Sequence, residues 1–233
     1  MNIIVTGSSK GIGREIALLL SQSGLHSIIG IAGTPEPLLE LEKKATNKSF
    51  KGIAYDLNEI FNNPEKLMTQ IRDNFEFVDI LINNAGKLIN KPFSSFSKDE
   101  IEFLFGINLF APAELIRLLL PLMGKKSKSH VVNIGSMGGF QGSSKYPGLS
   151  WYSSSKAALA NLTESLSVEL KEYNVAVNCL ALGAVATPML AMAFPGYKAP
   201  IEADEIAKFI VDFALFGHNL FNGQILPVAL SNP

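Results

Sequence analysis

The sequence is poor in the residues that build covalent and metal frameworks. A single cysteine, Cys179, in 233 residues excludes an intrachain disulfide network and a cysteine-based zinc cage. The three histidines, His26, His130 and His218, lie far apart without metal-ligand spacing, so no metal is expected. Charge is scarce as well: Asp, Glu, Lys and Arg make up 18% of the chain, below the usual ~25%. The 20 basic and 21 acidic residues leave a net charge of −1, which offers no electrostatic footprint for nucleic acid or an anionic membrane. The opening Met1–Gly7 stretch has no charged n-region ahead of a long apolar run, so no signal peptide is read there. No run of the ~20 apolar residues that a membrane span needs is expected. What is abundant is hydrophobic side chain, 47% of the chain, enough to bury a core and to exclude disorder. These bounds give the expectation of a soluble, cytoplasmic protein folded as one domain over residues 1–233.

Short apolar runs alternate with helix-like stretches from end to end. Strands are expected at Ile3–Thr6, Ser27–Ala32, Gly52–Tyr55, Val78–Ile82, Val131–Ile134, Val175–Leu180 and Gln224–Val228. Between them the spacing predicts helices over Gly11–Ser23, Pro35–Ala45, Pro64–Phe75, Lys98–Met123, Trp151–Tyr173 and Glu202–Phe216. Pro112 is expected to kink the fourth of these. Val78–Ile82 is apolar apart from Asp79, as expected of a strand buried on both faces. Strict alternation argues for an α/β fold: a doubly wound parallel sheet of about seven strands with helices on both faces. Gly138–Ser150, rich in Gly and Ser, reads as a mobile loop at the carboxyl edge of that sheet.

The first strand-to-helix turn reads Thr6-Gly7-Ser8-Ser9-Lys10-Gly11-Ile12-Gly13. Glycines let the backbone turn sharply and approach a ligand, and the following helix presents free N–H groups and its positive dipole end to an anion. The spacing is neither Gly-x-Gly-x-x-Gly nor a P-loop, and taken alone it also fits a tight turn in any α/β protein. At this position it reads as a phosphate cradle. Thr6, Gly7, Ser9, Lys10, Gly11, Ile12 and Gly13 are its candidate cofactor contacts.

Tyr152 and Lys156 stand at i and i+4 on an expected helix and so share a face. A free phenol with a pKa of about 10 is a poor base at neutral pH, and a nearby ammonium lowers it. A bare Tyr-x-x-x-Lys fits an ordinary helix turn equally well, so context decides. Ser136, at the end of the strand Val131–Ile134, supplies it: a hydroxyl there can stabilise a substrate oxygen as it gains charge, although a turn serine would look the same.

Taken together, these residues resemble the short-chain dehydrogenase/reductase family nearly end to end, which implies a Rossmann-type fold. The pieces that carry the resemblance come in the family's order: Thr6-Gly7-x-x-x-Gly11-x-Gly13, Asp56, Asn83-Asn84-Ala85-Gly86, Asn108, Ser136, Tyr152-x-x-x-Lys156, Asn178, then Gly183 to Thr187. The resemblance implies that Tyr152 is the acid in carbonyl reduction and the base in alcohol oxidation. Lys156 would lower its pKa and hold the nicotinamide ribose, Ser136 would orient the substrate oxygen, and Asn108 would hold a water that relays protons to Lys156. Asp56 and Leu57 would meet the adenine, and Asn84, Ala85 and Gly86 would line the adenosine side. Gly183, Val185 and Thr187 would meet the carboxamide. The nicotinamide itself carries the hydride.

The chain departs from the family pattern in several places. Leu182-Gly183 stands where Pro-Gly is usual, the Ser136–Tyr152 spacing of sixteen is longer than common, and the tail Leu226–Leu230 lacks an acidic-Gly-Gly ending. The end of the second strand, Gly30-Ile31-Ala32-Gly33-Thr34, has no carboxylate to repel a 2′-phosphate. Lys10 and Thr34 are placed to meet one, so NADP(H) is favoured with NAD(H) as the alternative. Met189, Leu190, Met192, Phe194 and Tyr197 in the segment Pro188–Pro200 suit an apolar or aromatic ketone, although core packing or a subunit contact would use the same residues. Small residues on the Trp151–Tyr173 helix fit a homodimer or homotetramer face. The cluster Lys125-Lys126-Ser127-Lys128 is explained by a helix C-terminus, and no nucleic-acid partner is expected.

Two competing functions remain. Ser153-x-x-Lys156 spells a serine acylase nucleophile, yet Ser-Asp-Asn, Lys-Thr-Gly and Gly-x-Ser-x-Gly partners are all missing. A catalytically silent dinucleotide-binding protein would keep the glycine loop but has no use for a proton relay.

Overall fold

The computed structural model describes residues 1–230, so residues 231–233 of the expected domain lie outside the described residues. Seven strands form one parallel sheet: β1 (Asn2–Thr6), β2 (Ser27–Ala32), β3 (Phe50–Ala54), β4 (Ile80–Asn83), β5 (Ser129–Ser136), β6 (Val175–Leu182) and, at one edge, β9 (Ile225–Val228), in the order β3-β2-β1-β4-β5-β6-β9. A separate two-stranded ladder pairs β7 (Val185–Ala186) with β8 (Ile201–Glu202). The helices are α1 (Gly11–Gln22), α2 (Glu36–Lys44), α3 (Pro64–Arg72), α4 (Lys98–Phe105), α5 (Ala111–Leu119), α6 (Ser150–Glu169), α7 (Pro188–Ala193) and α8 (Ala203–Phe216).

Side-chain alternation along the strands builds two cores. Ile4, Ile29, Ile53, Leu81, Val131 and Val177 face one side, where Leu67 and Ile71 of α3 and Leu115 and Leu119 of α5 cover them. Their neighbours Ile3, Val5, Ile28, Ile82, Val132 and Leu180 face the other side, under Ile16 and Leu20 of α1, Leu38 and Leu41 of α2, and Ile206 and Ile210 of α8. Each such side chain removed from water contributes roughly 1.5–3 kcal/mol. The chain winds from β1 towards β3, then crosses back to β4 and on to β9. The crossing leaves a crevice at the carboxyl ends of β1 and β4, where open α/β sheets bind ligands.

The single helix expected over Lys98–Met123 is instead segmented. α4 passes into a π-helical turn, Gly106–Phe110, before α5 resumes, and a 3-10 turn, Leu120–Leu122, closes the run. Pro112 lies in the first turn of α5, where its missing N–H is tolerated. The π turn carries Asn108. The stretch Lys98–Leu122 is 25 residues long and holds a window of mean hydropathy 1.7, long and apolar enough to cross a membrane by length and composition. That corrects the expectation that no such run exists. Half of that window is buried in the fold, because Leu104, Ile107, Leu115, Ile116 and Leu119 pack into the core. α7 and the β7–β8 ladder were not foreseen, since two-residue strands carry no periodicity.

Candidate active site

The glycine loop is built by mutual exclusion of side chains. Gly7 adopts φ +71°, and a Cβ there would lie 2.8 Å from Asn84 Nδ2. A Cβ on Gly13 would lie 2.4 Å from the Gly7 carbonyl oxygen. Thr6 Oγ1 accepts from the N–H groups of Asn84 (3.0 Å) and Ala85 (2.9 Å), while Asn84 Nδ2 donates to the Thr6 carbonyl at 2.9 Å. The loop after β1 is thus clamped to the loop after β4, and α1 starts at Gly11 with no side chain capping its first N–H groups.

A cleft of about 450 Å³ runs from this loop along the carboxyl edge of the sheet. Of the expected cofactor contacts, Gly7, Ser9, Lys10, Gly11 and Ile12 line it near α1. Asp56 and Leu57 line one end, Asn84, Ala85 and Gly86 the middle, and Gly183, Val185 and Thr187 the far wall. Ser136, Tyr152 and Lys156 converge in the same cleft. Thr6, Gly13, Thr34 and Asn108 do not line it. Thr6 and Gly13 form the clamp just described, Thr34 is exposed, and Asn108 is fully buried beneath the cleft. The reason is geometric: a clamp residue must face the neighbouring loop and therefore turns away from the ligand space.

Asn108 Nδ2 donates to the Lys87 carbonyl (2.9 Å) and to Ser155 Oγ (3.0 Å), and its Oδ1 accepts from the Lys87 N–H (2.9 Å). Ser155 in turn donates to the Tyr152 carbonyl at 2.7 Å. Asn108 therefore joins the π turn, the loop after β4 and the first turns of α6. A point beside Gly86 lies 3.1 Å from Asn108 Oδ1 and 3.4 Å from Lys156 Nζ, so both groups face one small space. Lys156 is buried and donates to the Ile134 carbonyl at 2.8 Å. Burial pushes its pKa down to about 8, with Cys179 opposing. For Tyr152 burial pushes the phenol up, and the Ser136 hydroxyl pulls it back down. Lys156, expected to lower Tyr152, does not act on the phenol here; its ammonium donates to the Ile134 carbonyl.

The far mouth of the cleft has a different makeup. α7 is capped by Thr187, whose Oγ1 accepts from the Leu190 N–H at 3.2 Å. Met189 and Leu190 line the cleft, whereas Met192 and Tyr197 are exposed and Phe194 lies outside it. The apolar wall is completed by Leu88, Phe103 and Ile107, which belong to no motif. Only the apolar face of α4 and its π turn hinted at the last two. Outside the cleft lining, Asn90 from the loop after β4 donates to the Ala193 carbonyl at the end of α7 at 2.9 Å. Ser153 does not line the cleft, so the acylase spelling gains no support from it.

A parallel sheet with its ligand crevice at the glycine loop, and a tyrosine, lysine and serine gathered beside it, defines a dinucleotide-binding oxidoreductase architecture. Residues 1–198 match the family model described as short chain dehydrogenase. The chain belongs to that family of oxidoreductases. It is 29% identical over 208 residues to an uncharacterized oxidoreductase of Staphylococcus epidermidis, covering 89% of this chain and 88% of the relative. An acetoin dehydrogenase from Salmonella typhimurium superimposes with a TM-score of 0.83 at 29% identity, over 99% of this chain and 96% of that one. A 3-ketoacyl-(acyl-carrier-protein) reductase from Brucella melitensis, solved with NADH, shares the fold at a TM-score of 0.86 and 20% identity, over 98% and 96% of the two chains.

Proposed function

We propose that the chain interconverts a carbonyl and a secondary alcohol with a nicotinamide dinucleotide, NADP(H) in preference to NAD(H), using Tyr152 as the acid and base. The observation that carries this reading is the convergence of Ser136, Tyr152 and Lys156 in the one cleft that starts at the glycine loop. The residues present fit such a cofactor. Gly7 and Gly11 at positive φ bring backbone close to the cleft, and the uncapped start of α1 with Lys10 beside it suits a pyrophosphate. The similarity to an acetoin dehydrogenase supports a small carbonyl–alcohol pair as substrate, and the wall of Leu88, Phe103, Ile107, Met189 and Leu190 favours an apolar body on it.

When bound, the nicotinamide supplies or takes the hydride. The protein's part is to bind, orient and move one proton. Ser136 donates a hydrogen bond to the substrate oxygen. Tyr152 gives that oxygen its proton in reduction and takes it back in oxidation. Lys156, with ammonium protons beyond the one given to the Ile134 carbonyl, would hold the ribose hydroxyls, and its charge favours the phenolate. The remaining lone pair of Asn108 Oδ1, facing the space beside Lys156, holds the water that refills the proton.

A Cβ on Gly33 would meet nothing within 4 Å, which leaves room for a 2′-phosphate within reach of Lys10. One observation favours NAD(H) as the second reading: Asp56 and Glu59 outnumber Lys66 in a side pocket next to Gly33 and would disfavour that phosphate. Parallel titrations with NADPH and NADH, read by nicotinamide fluorescence, separate the two. Lys10→Ala is expected to weaken NADPH about tenfold with NADH little changed, the scale of one charge-assisted contact. An unchanged ratio removes Lys10 from the phosphate site. Binding without turnover, with Tyr152→Phe equal to wild type, would leave a silent binding protein.

A further inference from the structure

The loop from Ser136 to α6 is the segment in which the Ser136–Tyr152 spacing runs long. It closes on one ammonium. Lys145 Nζ donates to the Gly138 carbonyl (2.9 Å), the Phe140 carbonyl (2.7 Å) and Ser143 Oγ (2.8 Å). An ammonium has three protons, and all three are bound by neutral oxygens of this loop. The Ser143 hydroxyl donates to the Met137 carbonyl, with the Phe140 carbonyl a second acceptor at 2.9 Å, and the Met137 carbonyl also accepts from the Phe140 N–H at 3.1 Å. That carbonyl belongs to the peptide group whose N–H, on Gly138, donates to Ser136 Oγ at 3.1 Å.

The bonds form one directed chain: ammonium to Ser143 hydroxyl, hydroxyl to the Met137–Gly138 peptide, peptide to the Ser136 hydroxyl. Every donor points the same way, so each bond polarises the next, and a full positive charge stands at the head. Ser136 accepts at the far end and keeps its own proton for an acceptor in the cleft. The turn has little freedom to relax. A Cβ on Gly138 would lie 2.9 Å from Ser153 Oγ, and one on Gly139 would lie 2.6 Å from the Ala157 nitrogen, so the turn sits directly on α6 beside Tyr152.

We propose that Lys145 is a positioning residue for the reaction: through Ser143 and the Met137–Gly138 peptide it aims the Ser136 hydroxyl and strengthens it as a donor to the substrate oxygen. This rests on the carbonyl–alcohol reading above. Lys145 and Ser143 touch neither substrate nor cofactor, and a surface lysine serving only as a loop tether would leave Ser136 unaffected.

The test is a set of mutant cycles on the full chain, in reduction of a small ketone such as acetoin. K145M and S143A are each expected to lower kcat about tenfold, a fraction of what losing an oxyanion donor costs, with the cofactor Kd unchanged. K145R keeps charge and donors and should recover most of the rate. In an S136A background, K145M should cost nothing further. A K145M loss that persists in full on S136A, or no loss at all, overturns the proposal. Hydrogen exchange on the protein alone gives a readout without turnover: K145M should speed exchange of the Gly138 amide and leave the sheet protected. If wild type turns over no carbonyl, the functional reading fails separately, and unchanged Gly138 protection then overturns the chain itself.

Discussion

The two ends of the cleft are held together by different means. At the glycine loop, buried side chains hold backbone: Thr6 Oγ1 accepts from the N–H groups of Asn84 and Ala85, and Gly7 and Gly13 pack where no added Cβ fits. At the mouth, a single side chain bridges exposed segments: Asn90 to Ala193. The first kind of contact is costly to alter and tolerates one solution. The second can be broken and remade, as a surface that admits and releases substrates must be. The proposed chemistry lies at the seam, where Tyr152 and Lys156 project from the rigid α6 and Ser136 from the end of β5.

Several substitutions sharpen or break this contrast. Tyr152→Phe removes the proton donor and is expected to lower kcat by about 10²–10⁴-fold while cofactor binding persists. Stopped-flow or steady-state rates with the cofactor titration as control check it. A similar scale applies to the framework under acid. His130 is fully buried with its Nδ1 on the Ala214 carbonyl (3.0 Å) and its Nε2 facing Asn178 Nδ2 (3.0 Å). Burial pushes its pKa down to about 4. The unfolded chain therefore takes up the proton first, near pH 6.5, and stability present above that pH is lost as pH falls towards 4. The loss is about 3 kcal/mol at ~1.4 kcal/mol per unit. Urea midpoints at pH 7 and 4 measure it, and His130→Asn should flatten the dependence.

Gly13→Ala forces a methyl group onto the Gly7 carbonyl and is expected to cost about 2 kcal/mol, the scale of overpacking. Cofactor binding should weaken with it, because the clamp and the cradle share a backbone. Thermal melts alongside fluorescence titration would show the two losses moving together. At the mouth the effect should be smallest. Asn90→Ala releases the exposed bond to Ala193 and is expected to raise the substrate KM roughly threefold, less than the 1.4 kcal/mol that a tenfold change represents, with the melting temperature unchanged. A melting shift as large as that of Gly13→Ala would erase the distinction between the two ends.

Much of this was legible before any coordinates. The apolar run Ile80–Ile82 of β4 announces a strand buried on both faces, and glycines at the first strand-to-helix turn announce a close approach. Other features were not. The π turn around Asn108 interrupts a run whose apolar spacing looks like one helix, because one inserted residue barely disturbs a 3.6 period. Phe103 and Leu88 enter the cleft wall from segments that carry no motif. Thr6 and Gly13 sit inside the motif yet face the neighbouring loop, a distinction that depends on direction and is invisible to spacing.

By itself the sequence determined the order of strands and helices, the parallel sheet and the place of the phosphate loop, because these follow from local periodicity, backbone freedom at glycine and burial. Tertiary structure alone decided which motif residues reach the cleft and which clamp it, where Lys156 rests, and how Lys145 is tied to Ser136 through a peptide group. Those outcomes depend on which loops the sheet brings side by side and on the direction each hydrogen-bonding group then faces.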